Sequence, residues 1–216
     1  MIEVLINILQ IIILMPAFVI SFRNAFRYRS REWSVTAFFF AVFLMADIYW
    51  MLVNLFYHRN AIFYISEIGW YSGFLFLDIL LMMLTTEEEA IHRYNKYKSL
   101  WIFPVCTFFM MVFFVWKAGD LIGNLVTFFF MTALILRSGR GLIYLSRPES
   151  AEAGDKGERK TLYTLVMIYC ISEYVIWTLS CFWMGNTLLN PYYWLDIFNT
   201  VLLLMMVPAI RKAVNR

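Results

Sequence analysis

The chain has 216 residues, of which 62% are hydrophobic, 19% aromatic and only 15% charged, with a formal net charge of +3 and a mean hydropathy of +0.68. A soluble domain is nearer half apolar and a quarter charged, so both a water-soluble fold and a disordered chain are excluded. So small a net charge on so apolar a chain makes no basic groove for nucleic acid.

An α-helix needs about 20 apolar residues to cross a hydrocarbon core of roughly 30 Å. Seven stretches meet or approach that length: 2–22, 34–56, 62–84, 100–116, 121–136 with an extension toward Tyr144, 161–184 and 190–209. They predict an all-α integral membrane protein with seven transmembrane helices in a single domain. A β-barrel would alternate apolar and polar positions, and runs such as FFFAVFLM at 38–45 do not.

Basic residues set the orientation. Arg23, Arg27, Arg29 and Arg31 lie between spans one and two; Arg93, Lys96 and Lys98 lie between spans three and four. Arg137, Arg140, Arg147, Lys156, Arg159 and Lys160 follow the fifth span, and Arg211, Lys212 and Arg216 follow or close the seventh. Only Arg59 and Lys117 fall on the other side. Basic residues resist translocation, which predicts the N-terminus outside and the C-terminus cytoplasmic. The first span starts Met1-Ile2-Glu3 and its basic cluster follows it, so it reads as an anchor and not as a cleaved signal.

The outer links are short: Tyr57 to Ala61, Lys117 to Asp120 and Gly185 to Leu189. The longest hydrophilic segment, 146–160, has the Pro, Gly and mixed charge of a flexible cytoplasmic linker. A weak internal correspondence joins 1–84 to 121–209. At one offset Met15, Ala17, Tyr28, Ser30 and Arg31 meet Met131, Ala133, Tyr144, Ser146 and Arg147; at another Asp47, Phe56 and Asn60 meet Glu173, Phe182 and Asn186. This allows a 3+1+3 parallel repeat with 100–116 as the odd helix. That plan resembles the SWEET sugar carriers in architecture only, because their Pro-Gln loop signature is missing and none of their residues carries over.

Five acids fall inside the spans: Asp47, Glu67, Asp78, Glu173 and Asp196. Each costs about 2.5–3.5 kcal/mol at a helix centre, and such residues are seldom idle. With no Lys, Arg or His deep in a span to pair with them, they are expected to be protonated, hydrated or matched by an outside cation. Helical spacing puts Glu67, Tyr71, Phe74 and Asp78 on one face of the third span, and Gly69 and Gly73 on another as a GxxxG packing surface. Asp47, Trp50 and Asn54 share a face of the second span; Tyr169, Glu173, Trp177 and Ser180 share one of the sixth; Tyr192, Asp196 and Asn199 line up on the seventh. The candidate ligand- or proton-binding residues are therefore Asp47, Trp50, Asn54, Glu67, Tyr71, Asp78, Glu173, Trp177, Asp196 and Asn199. Carboxylates beside aromatic rings suit an organic cation or a proton path.

Other chemistry finds no support. Glu89-x-x-His92 has the spacing of a carboxylate metal site but no second copy, and reads as a solvated helix end. HExxH and GxSxG are absent, and the last span lacks the Lys that would hold retinal. Cys170 and Cys181 are too far apart on one helix to bridge. No cofactor and no metal is expected. The first reading is a small transporter in the cell membrane, inner in a bacterium, that moves a small polar or cationic solute with or without protons. The second is a seven-helix ligand sensor that signals through its loops or a partner. A membrane enzyme on a lipid-like substrate is third, without a nucleophile to support it. A homo-oligomer is compatible with each.

Overall fold

The computed structural model describes residues 2–56, 63–91, 95–147, 156–183, 185 and 187–214. Among them the regular structure is entirely helical: α1 (Ile2–Tyr28), α2 (Arg31–Phe56), α3 (Phe63–Leu84), the short α4 (Glu87–Ile91), a 3₁₀ helix (Asn95–Trp101), α5 (Ile102–Ala118), α6 (Leu121–Leu145), α7 (Lys156–Phe182) and α8 (Pro191–Val214). Seven of these, all but α4 and the 3₁₀ helix alone, are long and apolar enough to cross a membrane. The seven expected spans are thus present, and the chain is an integral membrane protein by length and composition. The fifth span extends to Leu145, as expected from its run toward Tyr144, and one boundary differs: α7 already begins at Lys156, inside the segment read as a linker. Positions 148–155 of that segment, the 57–61 link and His92 lie outside the described residues.

The breaks between helices follow from local chemistry. Arg29 takes a left-handed φ of 49°, and Ser30 caps α2 by accepting the Trp33 amide at 3.2 Å. Gly119 ends α5 at φ 76°, a conformation costly to residues with a Cβ, and Asp120 caps α6 by accepting the Gly123 amide at 3.1 Å.

Six helices close a ring in the order α1, α2, α3, α6, α7, α8, and α5 lies outside against α6 and α7. Each ring helix keeps an apolar stripe outward, such as Leu5, Ile12, Val19 and Phe26 on α1, or Phe38, Met45 and Leu52 on α2. The seven-residue spacing of these exposed side chains is one helical face, the face a lipid bilayer would cover. The GxxxG surface of α3 meets α2. A Cβ on Gly73 would lie 2.1 Å from the Phe43 ring, and one on Gly69 would lie 2.8 Å from Ala46 Cβ. Glycine at both positions lets the two helices approach this closely.

The ring is filled unevenly. Phe39, Phe40, Leu77, Leu80, Leu81, Leu134, Tyr163, Met206 and Ile210 are all fully buried. They sit in the half where α3 and α6 end and α7 begins, called here the basic end for its arginines and lysines. Two ion pairs cross that half, beside a cavity of about 280 Å³ lined by Thr85, Glu89, Ala133, Arg137 and Arg140. Arg137 Nε reaches Asp78 Oδ1 at 2.7 Å, and Arg159 Nη1 reaches Glu89 Oε2 at 3.0 Å.

A carboxylate crevice as the candidate functional site

In the other half the interior is polar. Asp47 on α2 accepts a hydrogen bond from Trp70 Nε1 of α3 at 3.2 Å. Glu173 on α7 accepts one from Asn199 Nδ2 of α8 at 2.8 Å, while Asn199 Oδ1 accepts from the Ser172 hydroxyl. Asp196 on α8 accepts from Gln10 of α1. Nearer the helix ends, Glu3 of α1 accepts from Trp50 Nε1 at 3.1 Å and Asn54 Nδ2 at 3.4 Å, both on α2. These acids sense one another. Asp47 lies within electrostatic range of Asp196 and Glu173, Glu173 within range of Asp196, and Asp196 within range of Glu3. Tyr192 sits beside three of them, Glu3, Glu173 and Asp196.

The four carboxyl residues are half-buried rather than sealed, and the partly open cluster they form is called the crevice below. Behind them stand buried polar side chains, Asn7, Gln10 and Asn199. Asn7 Nδ2 is buried without a hydrogen bond to any described residue, and the Tyr169 hydroxyl faces Glu173. Neither ion pair among the described residues involves these acids. Four carboxyl groups in one membrane-level crevice call for protons or a cation from outside. The indoles of Trp50 and Trp70, 6.4 Å apart, add faces that attract an organic ammonium.

Of the sequence candidates, Asp47, Trp50, Asn54, Glu173, Asp196 and Asn199 meet here. Glu67 and Tyr71 lie elsewhere, on the side of α3 that faces α6 and Asp120. Trp177 packs on Phe114 of α5 with ring centroids 6.0 Å apart. Asp78 is tied to Arg137, which corrects the expectation that no basic side chain inside a span could pair with an acid. The cause is the length of α6: the helix continues past 136 and carries Arg137 to Asp78.

Glu89 corrects a second expectation. It is not a solvated helix end but only 3% exposed, and it also accepts from the Tyr163 hydroxyl at 3.3 Å. Burial pushes its carboxyl above the ordinary value, and Arg159 counters this in part.

Sequence reasoning missed Glu3, Asn7, Gln10 and Trp70. The signal was there for the first three. They recur at i, i+4 and i+7 in an otherwise apolar run, which makes one polar stripe on α1. No protein-family model, curated protein or solved structure matches the chain.

Proposed function

We propose that this protein is a membrane carrier for a small polar or cationic solute, and that Asp47, Glu173 and Asp196 bind it and exchange protons with it. One observation supports the reading above all: three carboxylates from α2, α7 and α8 converge on a half-open crevice walled by Trp, Tyr and Asn. Basic residues held on the cytoplasmic side would open this crevice to the outside of the cell membrane. The buried apolar layer of Phe39, Phe40, Leu77, Leu80 and Leu81 then forms the closed inner gate of an alternating-access cycle. In this reading the protein binds and moves its solute without altering it, so no catalytic residue is assigned.

The test is uptake of small amines into proteoliposomes, with methylammonium, choline and a diamine as probes, with and without an imposed pH gradient. Saturable uptake that responds to the gradient supports the carrier. A second reading, a ligand sensor, draws on the buried apolar layer of Phe39, Phe40, Leu77, Leu80 and Leu81 between the acids and the basic end, which suits a one-sided binding site. Saturable binding of the same probes without flux selects it.

A further inference from the structure

Most amide side chains around the crevice already serve its acids. Asn54 Nδ2 donates to Glu3, Gln10 to Asp196 and Asn199 Nδ2 to Glu173. Asn7 differs. It is only 7% exposed, yet its Nδ2 donates to no described residue. A buried amide N–H costs stability unless something offers it an acceptor.

Helical geometry fixes the side of α1 on which Asn7 lies. Leu5, Ile8, Leu9 and Ile12 are exposed, on the side a bilayer would cover. Glu3, Asn7, Gln10 and Leu14 follow one another at single helical turns on the opposite, inward side. Asn7 stands between two residues that already reach across to other helices. Glu3 is held by Trp50 and Asn54 of α2, and Gln10 by Asp196 of α8. The helix itself packs on both α2 and α8. The Asn7 amide therefore faces the space between those two walls, beside the crevice acids.

We propose that Asn7 selects the solute: the crevice takes a small amine that also carries a hydroxyl, with the ammonium on the acids and the hydroxyl on the Asn7 amide. This rests on the carrier reading's crevice and narrows what it binds. A hydroxyl both donates and accepts, so it pairs with either end of a primary amide. A ligand carboxylate could also accept from Nδ2, but Glu3 and Asp196, on either side of Asn7, would repel it. A plain alkyl tail would leave the amide unpaired, and a site built to bond a hydroxyl discriminates against the analogue that lacks it.

The experiment is titration calorimetry of the purified full chain in nanodiscs, at neutral pH. The probes are ethanolamine, propylamine, which has a methyl group in place of the hydroxyl, and β-alanine, which adds a carboxylate. Ethanolamine should bind roughly tenfold more tightly than propylamine, and β-alanine more weakly than ethanolamine. Asn7→Leu, which removes the amide and keeps most of its volume, should bring the two amines near parity by weakening ethanolamine while propylamine binding holds. Should Asn7→Leu fail to fold, Asn7→Ala serves in its place, with the same result expected. Equal affinities for the two amines in the wild type, or a preference kept in the folded variant, would overturn the role of Asn7 and leave the crevice reading standing. Binding of neither amine would overturn both.

Discussion

Arg159 and Glu89 show how a charge can be buried at the edge of a membrane. Their side chains are only 5% and 4% exposed, and Arg159 also donates to the Leu84 carbonyl at 3.2 Å. Removing one partner strands the other. Arg159→Met should therefore lower stability by about 3–5 kcal/mol, and adding Glu89→Met should restore most of it; thermal unfolding of the three proteins checks this. The pH dependence has a definite sign. Burial raises the folded-state pKa of Glu89 above its ordinary value, so the folded chain holds that proton more tightly than the unfolded one. Its contribution to stability rises as pH falls through the folded value and is lost as pH climbs back. Glu89→Gln should flatten that part of the Tm–pH profile, and an unchanged slope would contradict it. The sequence hides this pair because its members are 70 positions apart, and a run of three glutamates looks like a solvated turn.

At the scale of elements, the long apolar runs made the spans legible, since crossing a bilayer fixes a minimum length that few soluble helices meet. The GxxxG surface of α3 was legible for a similar reason: small residues one turn apart leave room for a neighbouring helix. Gly73→Ala puts a methyl group into the Phe43 ring and should cost about 1–3 kcal/mol as overpacking. Combined with Phe43→Ala the clash disappears, so the double variant should lose less than the sum of the two single changes, as melting curves would show. The extension of α6 toward Tyr144 was legible in its apolar residues, but the partners that hold its arginines were not: Arg137 is held by Asp78, and Arg140 Nη2 donates to the Ala90 carbonyl at 3.3 Å. Tertiary partners let the helix carry both arginines to Leu145.

The whole molecule is a ring of six helices with a packed apolar layer toward the basic end and a cluster of acids in the other half. Helical spacing put Asp47, Glu173 and Asp196 on the faces of α2, α7 and α8 that approach one another, because periodicity is a local property, but it did not send Trp177 to α5. It did not separate Glu67 and Asp78 from the crevice, because which neighbour a face meets depends on how the ring closes. The orientation read from the basic residues has its own test. In a cysteine-free background, single cysteines at 59 and 117 should react with an impermeant maleimide from outside, and those at 29 and 160 should not. Outside labelling at 29 would invert the scheme and turn the crevice toward the cytoplasm.

The central claim is that the crevice acids bind the solute as ionisable groups. It is tested most directly by amine uptake into proteoliposomes across a range of pH, wild type against Glu173→Gln. Gln keeps the shape and can still bond Asn199, but it cannot ionise. The expected result is a variant that folds and melts like the wild type but has lost uptake or its pH dependence. A normally folded Glu173→Gln protein that retains full, pH-dependent uptake would contradict the account.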